Sequence, residues 1–227
     1  MFNNIAANYD FLNHFLSLGI DILWRRKAIR VLKKYFSEKN ITGARILDIA
    51  TGTGDFAMEA IKLNPEKITG VDISEKMLEA GKEKIKKLSI ENKIELLYAD
   101  SENLPFNDNS FDGITAGFGV RNFENLEKGL SEMHRVLRDK GIAVILEFSK
   151  PEKFPIKQLY NFYFKNILPL AGKIISKDHR AYTYLPESVS AFPDGKVFLE
   201  IMKKTGFGNL KQIPLSFGIA SLYIGEK

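Results

Sequence analysis

Residues 48–55 combine residue types that suit the binding of a cofactor. Their sequence is DIATGTGD, in which Asp48 and Asp55 enclose two glycines, and glycine allows the backbone to pass close to a ligand. The segment ends a strand-like run at 44–49 and begins a helical run at about 55–63. A helix N-terminus favours an anion, whereas the two flanking carboxylates favour cationic groups. The turn therefore predicts a site for a nucleoside cofactor that carries cationic groups and no pyrophosphate.

The glycine spacing of this turn does not by itself decide the cofactor. Ala57 stands where the third glycine of a G-x-G-x-x-G dinucleotide motif would lie, but such motifs tolerate alanine there. Two cofactors therefore stay open at this point: a nicotinamide dinucleotide, and S-adenosylmethionine (SAM) with its ammonium and sulfonium groups. The residues at the later strand ends distinguish the two.

Three later strand-like runs also end in small or polar residues. Asp72, which lies 24 residues after Asp48, can accept hydrogen bonds from both hydroxyls of a ribose. Asp100 can accept from an adenine amino group, and Ser101 offers a backbone donor. Gly117 allows close approach of a methionine portion. Because ligands of open α/β sheets lie beyond the carboxyl ends of the strands, these residues predict a SAM site.

The predicted cofactor contacts come from all four strand ends. They are Asp48, Thr51, Gly52, Thr53, Gly54, Asp72, Ile73, Met77, Asp100, Ser101 and Gly117. Three of them have a purely structural alternative. Asp48 could cap its loop, Asp72 could cap the helix that begins near Ser74, and Met77 has the helical spacing of a core residue. Together, the four strand ends favour the binding site.

Strand-like and helical runs alternate along the middle of the chain. Strands are predicted at 44–49, 67–72, 94–99, 111–117, 141–149, 209–216 and 219–225, and helices at about 55–63, 74–88, 124–138 and 194–205. This alternation predicts an α/β fold, a seven-stranded and mostly parallel sheet with helices on both faces. The last two strands are joined only by residues 216–218 and must pair antiparallel. Asp21, Ser74 and Asn125 are predicted helix N-caps.

Two helical regions are predicted beside the sheet within a single domain that spans residues 1–227. Residues 1–36 are predicted to be helical. Residues 152–193 are predicted to form a helical lid, with a helix through 160–175 that Pro169 kinks or splits, followed by a loop over 182–193. The apolar stripe of the lid either packs over the sheet or lines a channel for an apolar substrate.

The composition narrows the functional classes. A chain of 227 residues that is 44% hydrophobic can bury one full core. The absence of cysteine excludes disulfides and thiolate catalysis, and three scattered histidines do not form a metal site. No apolar run reaches 18 residues and no secretory signal is evident, so a cytoplasmic enzyme is expected. The mild charge of +5, without a basic patch interleaved with aromatic residues, predicts no nucleic-acid partner.

The chain resembles class I SAM-dependent methyltransferases, and more narrowly the UbiE/MenG/COQ5 family, along essentially its whole length. The resemblance is carried by residues 9–14, 17–19, 24–25, 118–122, 146–151, 184–188 and 192–193. This family C-methylates quinone precursors, which implies a Rossmann-like class I fold and SAM as the methyl donor, with no metal. Residues 4–6 and 16–21 are most similar to menaquinone-pathway members, which implies demethylmenaquinol as the substrate rather than a ubiquinone precursor.

The resemblance can be transferred position by position. The family's cofactor contacts fall on Thr53, Asp72, Asp100 and Ser101. Some members have a serine at the position of Gly117, so that side-chain contact is absent here. The family often has further residues before the Met-Phe pair at which this chain starts, so an arm that covers the cofactor is expected to be missing or built differently.

The resemblance and the strand ends together indicate three catalytic candidates. A ring carbon becomes a good nucleophile when the reduced ring's hydroxyl loses its proton, so the site should promote phenolate formation. Arg121 and Asn122 follow the fourth strand end; an arginine cannot act as a base, so Arg121 would lower the pKa of the hydroxyl and hold the phenolate. Tyr9 lies on a helix that could close over the cofactor. The structural alternatives are a salt bridge from Arg121 to a helix, a helix cap by Asn122 and core packing by Tyr9.

The implied partner is a polyprenylated quinol, which suggests peripheral contact with the inner face of a membrane; the sequence is also compatible with a homodimer. A nicotinamide-dependent oxidoreductase is the first alternative, but it leaves Asp100 and Ser101 unexplained. A methyltransferase for RNA or for another small molecule is the second. A non-enzymatic subunit of a quinone-synthesis assembly is the third, and the intact motifs argue against it.

Overall fold

The computed structural model of the protein describes residues 19–163, 166 and 180–227, without the side chains of residues 180–185. The helices are α1 (Ile20–Glu38), α2 (Asp55–Ala60), α3 (Glu75–Lys87), α4 (Leu126–Val136), α5 (Ile156–Phe162), α6 (Arg180–Ala191) and α7 (Lys196–Lys204). The strands are β1 (Arg45–Ile49), β2 (Lys67–Asp72), β3 (Ile94–Tyr98), β4 (Phe111–Gly117), β5 (Leu137–Phe148), β6 (Gly208–Leu215) and β7 (Ala220–Glu226). Short 3₁₀ turns occupy Ile61–Leu63, Val120–Asn122 and Ser216–Gly218.

The seven strands form one sheet in the order β3-β2-β1-β4-β5-β7-β6. The strands from β3 to β5 pair in parallel, whereas β7 pairs antiparallel with both β5 and β6. The predicted mixed sheet with a C-terminal antiparallel hairpin is confirmed. The strand order reverses between β1 and β4, and ligands of such sheets lie at the carboxyl ends beside this switch point.

Alternate residues of the strands pack against helices on opposite faces of the sheet. On one face, Ile46 and Val144 contribute to an apolar cluster with α1, α2 and α3. On the other face, Leu47 and Ile145 contribute to a cluster with α4 and α7. Helices on both faces explain why these strands are apolar at consecutive positions. This packing holds the strand ends in position.

The predicted N-caps have different outcomes. Asn125 caps α4, since its side chain accepts a hydrogen bond from the Lys128 backbone N–H at 3.0 Å. Ser74 occupies the N-cap position of α3, without a side-chain cap bond. The prediction for Asp21 is wrong, because α1 begins at Ile20 and Asp21 lies inside its first turn. Its carboxylate pairs with the guanidinium of Arg25, one helical turn later.

The predicted loop over 182–193 is wrong for most of its length, because α6 extends to Ala191 and contains Pro186. A proline inside a helix removes one hydrogen bond, but Val189 and Phe192 are buried here, and their burial offsets that cost. The helix predicted through 160–175 is described only as α5; Pro169 and Tyr9 lie outside the described residues. Among the described helices, none has the length and apolarity needed to cross a membrane.

Candidate functional site

The loop after β1 turns sharply because three of its residues adopt left-handed backbone conformations. The φ angles are 51° at Ala50, 57° at Gly52 and 86° at Gly54. Gly54 is the N-cap of α2, so the loop passes directly into a helix N-terminus. The loop after β4 lies close to the loop after β1: a Cβ placed on Gly119 would lie 2.3 Å from the Cβ of Ala50. The two loops at the switch point therefore meet with room only for glycine.

Asp48, at the end of β1, holds this loop in place through hydrogen bonds. Its carboxylate accepts hydrogen bonds from the hydroxyls of Thr51 and Thr115, each at 2.6 Å, and only 1% of the residue is exposed. Burial raises the pKa of Asp48 to about 6, against the opposing effect of these hydrogen bonds. The predicted alternative, that Asp48 caps the loop, is confirmed, and Asp48 also borders a cavity described below.

The raised pKa of Asp48 predicts how stability depends on pH. Between its ordinary value of 3.8 and about 6, the folded protein binds more protons than the unfolded chain, so the free energy of unfolding falls as pH rises through this window. An asparagine at this position would stay neutral and bond to both threonine hydroxyls. We expect Asp48→Asn to stabilise the ligand-free protein by about 1–3 kcal/mol near about pH 8, and by little below about pH 4.

Urea unfolding of Asp48→Asn and wild type across this pH range measures the difference. The matched control is Asp139→Asn, which neutralises an exposed aspartate. Its free energy of unfolding should follow that of wild type at every pH. An equal effect of Asp48→Asn at all pH values would contradict the buried-charge interpretation.

Asp72 connects the ends of β1 and β2. Its Oδ2 accepts a hydrogen bond from the Gly52 backbone N–H and its Oδ1 from the Ser74 backbone N–H, both at 2.8 Å. Burial raises its pKa, and these backbone bonds oppose that shift. A carboxylate offers about four acceptor positions, and the backbone N–H groups of Gly52, Ser74 and Ile73 all act on this one, so part of its capacity to accept remains for a ligand. The capping alternative and the ligand-binding prediction are compatible at this residue.

Two adjoining cavities open at the carboxyl edge of the sheet. The larger, of about 290 Å³, is lined by Ala50, Gly52, Asp72, Ile73, Met77, Asp100, Ser101, Glu102, Gly117, Phe118, Gly119, Asn122, Phe123 and Glu124. The smaller, of about 40 Å³, is lined by Arg25, Asp48, Ala50, Thr51, Gly52, Thr53, Asp55, Phe56, Gly117 and Phe118. Every predicted cofactor contact borders one of the two cavities except Gly54, which forms the helix cap. The structure thus gathers residues from four strand ends around one space.

Sequence reasoning missed several lining residues. Phe118 and Gly119 lie within a strand-end segment that the sequence had already marked, and Phe118 has a left-handed φ of 59°. Phe123 and Glu124 follow that segment in the chain and gave no signal of their own. Arg25 comes from α1, and no local pattern connects it with a cofactor loop.

The charge of Asp55 is compensated within the fold. Its carboxylate lies 2.8 Å from the Lys84 ammonium and 3.6 Å from the Arg25 guanidinium. The Lys84 ammonium also donates to the Thr53 hydroxyl at 2.9 Å. The argument that carboxylates favour a cationic ligand therefore depends on Asp48 rather than on Asp55.

Arg121 belongs to a buried ion pair. Its Nη1 lies 2.9 Å from Oε1 of Glu147, and the two side chains are 7% and 0% exposed. Nη1 also donates to the Phe118 carbonyl, and Nε to the Ser188 hydroxyl at 3.3 Å. The alternative of a salt bridge is thus confirmed, although the partner lies on β5 and not on a helix. Arg121 itself does not line the larger cavity.

Asn122 borders the larger cavity. The alternative that it caps the following helix is wrong, because Asn125 performs that role. Asn122 thus lies where the prediction requires it, on the ligand side of the fourth strand end.

An aromatic cluster extends from the cavity wall. The Phe118 ring, which borders both cavities, lies 4.5 Å from the Phe148 ring and 6.0 Å from that of Trp24. The Arg121 guanidinium lies 5.5 Å from the centre of the Phe148 ring, a distance typical of a cation–π contact. The arrangement offers an apolar wall, backed by a guanidinium whose charge Glu147 compensates, which suits a planar aromatic molecule.

Solved structures share this fold. A putative SAM-dependent methyltransferase from Methanococcus maripaludis covers 100% of this chain and 94% of its own, with a TM-score of 0.71 and 18% sequence identity. A SAM-dependent methyltransferase from Thermotoga maritima, described as a possible histamine N-methyltransferase, covers 100% of both chains with a TM-score of 0.68 and 21% identity. At this level of identity the likeness concerns the fold alone, and that fold is of the class I methyltransferase type.

Sequence relatives match the whole chain. A demethylmenaquinone methyltransferase from Bacteroides fragilis is 50% identical over 100% of this chain and 91% of the relative. A ubiquinone/menaquinone biosynthesis C-methyltransferase UbiE from Geotalea uraniireducens is 48% identical over 100% and 94%. The model of the ubiE/COQ5 methyltransferase family matches residues 1–227. The protein therefore belongs to the ubiE/COQ5 methyltransferase family.

Proposed function

We propose that this protein transfers a methyl group from SAM to a ring carbon of demethylmenaquinol, giving menaquinol. The observation that carries the proposal is full-length similarity to demethylmenaquinone methyltransferases, 50% with that of Bacteroides fragilis and 43% with that of Porphyromonas gingivalis. The cavities at the switch point of the sheet support it, since they supply a place for both molecules.

The residues of the two cavities fit SAM. Asp72 keeps part of its capacity to accept hydrogen bonds for the ribose hydroxyls, and Asp100 and Ser101 border the same cavity for the adenine. In the smaller cavity, the Asp48 carboxylate and the Arg25 guanidinium match the ammonium and carboxylate of an amino acid. When bound, SAM supplies a methyl group on a positively charged sulfur, which is already electrophilic.

The ring of the quinol fits the aromatic wall beside this cofactor site. Phe118 borders the cavity and Phe148 stacks behind it, so an apolar ring can lie flat between them and the cofactor. Asn122 borders the same space and can hydrogen-bond to the ring hydroxyl. Orientation of the ring carbon towards the methyl group accounts for a large part of the expected rate.

Arg121 is proposed to hold the phenolate of the activated quinol. The bonds to Glu147 and to the Phe118 carbonyl fix its guanidinium, while Nη2 makes no hydrogen bond with the residues that the structure describes. A fixed cation with one available donor lowers the pKa of a neighbouring hydroxyl, and the proton then passes to water. Tyr9, outside the described residues, stays a catalytic prediction.

A ubiquinone precursor is the second candidate substrate. It is favoured by the relative from Geotalea uraniireducens, whose name covers both ubiquinone and menaquinone biosynthesis. The two precursors differ in the substituents of their rings.

Methyl transfer from labelled SAM tests the proposal. Purified protein is incubated with demethylmenaquinol or with a demethyl-ubiquinol analogue that has the same short tail, and the mass of the product is measured. We expect a gain of one methyl group on the demethylmenaquinol ring, with much slower transfer to the analogue. Transfer to neither ring, in protein that binds SAM, would contradict the proposal; preference for the analogue would establish the second candidate.

A further inference from the structure

Large apolar side chains are exposed on three segments near the aromatic cluster. Phe154 and Phe217 are each 81% exposed, and Leu23, Leu159 and Phe162 are between 55% and 61% exposed. Leu159 and Phe162 are three residues apart on α5 and share one face. We call these five residues the corner patch. Isolated exposed apolar residues are ordinary, whereas several of them on neighbouring segments indicate an interaction surface.

Two contacts bring the three segments to one corner of the molecule. The Trp24 indole N–H donates to the Ser216 hydroxyl at 2.9 Å, which places the beginning of α1, with Leu23, beside the turn between β6 and β7. A Cβ placed on Gly218 would lie 3.5 Å from the Cα of Pro151, so the same turn adjoins the segment that leads to Phe154.

The backbone of this turn holds Phe217 outward at a conformational cost. Ser216 and Phe217 adopt left-handed φ angles of 44° and 61°, and non-glycine residues with bulky side chains rarely do so. The Ser149 hydroxyl donates to the Gly218 carbonyl at 2.9 Å and fixes the turn. Local strain that displays an apolar ring in water points to a function for that ring.

Basic residues accompany the corner patch. Lys153 and Lys157 are exposed beside Phe154 and Leu159, and Lys27 is exposed one helical turn after Leu23; Glu152 is an exposed acid in the same segment. None of the three lysines forms an ion pair with the residues that the structure describes. Apolar residues ringed by lysines are typical of surfaces that bind anionic lipid bilayers. A symmetric contact with a second copy of this chain would instead bring these lysines together.

The corner patch is connected with the cavity through aromatic residues. Trp24, bonded to Ser216 of the turn, lies 6.3 Å from the Phe148 ring, and Phe148 stacks on Phe118 at the cavity wall. A series of packed aromatic rings thus connects the region of the exposed patch with the cavity wall.

We propose that the corner patch docks onto the surface of an anionic lipid bilayer, with Phe154 and Phe217 inserted among the headgroups, so that the cavity wall is held near the bilayer in which the quinol is dissolved. The delivery of the quinol rests on the proposed function; the docking does not.

Vesicle sedimentation of the full-length protein tests the docking. The test variant is Phe154→Ser with Phe217→Asn; asparagine tolerates the left-handed backbone, so this variant should be as stable as wild type. The matched control is Leu88→Ser, which removes a 59% exposed leucine next to Lys86 and Lys87 but at the other edge of the sheet. We expect wild type and the control to sediment with vesicles of phosphatidylcholine and phosphatidylglycerol, and the test variant to partition at least about tenfold more weakly.

Activity measurements distinguish a loss of membrane docking from a loss of catalysis. The test variant should keep wild-type SAM affinity and turnover of a short-tailed quinol in solution, while turnover of a long-tailed quinol in vesicles falls about tenfold. If the wild-type protein also fails to methylate the short-tailed quinol in solution, the proposed function is contradicted. The sedimentation result would still support docking. Unchanged sedimentation of the test variant would overturn the docking proposal. A change in its self-association instead, measured by analytical ultracentrifugation, would assign the patch to a dimer interface and overturn it equally.

Discussion

Replacing Asp72 with alanine is expected to weaken SAM binding about a hundredfold. The Asp72 carboxylate is held by the backbone N–H groups of Gly52 and Ser74, and the two carboxylate oxygens are proposed to accept from the ribose hydroxyls as well. Two hydrogen bonds to a charged acceptor contribute about 3 kcal/mol together, which corresponds to about a hundredfold in affinity. Asp72→Asn should lose about tenfold, since the NH2 that replaces one carboxylate oxygen cannot accept a hydrogen bond, whereas the carbonyl oxygen still can.

Isothermal titration calorimetry with SAM and with S-adenosylhomocysteine measures this effect. Both ligands carry the same ribose, so the affinity for both should fall by the same factor. Glu95→Ala is the matched control. It removes a half-exposed carboxylate from the neighbouring β3, where Glu95 pairs with Lys67 at 3.8 Å. This variant should bind both ligands with wild-type affinity. An affinity of Asp72→Ala within about threefold of wild type would rule out the ribose contact.

Replacing Arg121 with alanine is expected to lower the free energy of unfolding by about 3–5 kcal/mol, because it leaves the fully buried Glu147 carboxylate without its partner. A second substitution, Glu147→Gln in the Arg121→Ala background, should restore most of that loss, since no buried charge then remains. Urea unfolding of wild type, both single variants and the double variant gives the coupling between the two residues. The exposed pair of Lys34 and Glu38 is the control and should contribute below about 1 kcal/mol.

The double variant separates the structural role of Arg121 from its proposed chemical role. If Arg121 holds the phenolate, the stable Arg121→Ala/Glu147→Gln protein should bind SAM normally and still turn over at least about a hundredfold more slowly. Its rate should recover partly as pH approaches the pKa of the quinol hydroxyl in water, because the substrate then loses its proton unaided. Near-wild-type turnover in the double variant would show that Arg121 serves the fold alone.

Local patterns were sufficient for the framework of the site. Asp72 and Asp100 each follow an apolar run that had to be a strand, and parallel strands bring their carboxyl ends to one edge. The position of these carboxylates beside one cavity followed from that geometry without knowledge of any long-range contact. Asn125 was predictable for a similar reason, since a helix cap bonds to a backbone N–H only three residues away.

Residues whose partners are distant in the chain could not be predicted. Glu147 lies 26 residues after Arg121, and only the pairing of β4 with β5 makes them neighbours. Asp21 was wrongly predicted as a helix cap for a local reason: the helix begins one residue earlier, at Ile20, and Asp21 pairs with Arg25 inside it. In α6, Pro186 indicated a loop, but the burial of Val189 and Phe192 against the core outweighs the hydrogen bond that proline removes.

The sequence by itself determined the order of strands and helices, the acidic and glycine residues at the strand ends, and the family of the chain. These properties depend on backbone geometry and on patterns a few residues long. The tertiary structure alone decided which charges are compensated: Asp55 by Lys84 and Arg25, and Glu147 by Arg121. The physical reason is that an ion pair depends on distance in space, which chain folding sets and which spacing along the sequence does not reveal.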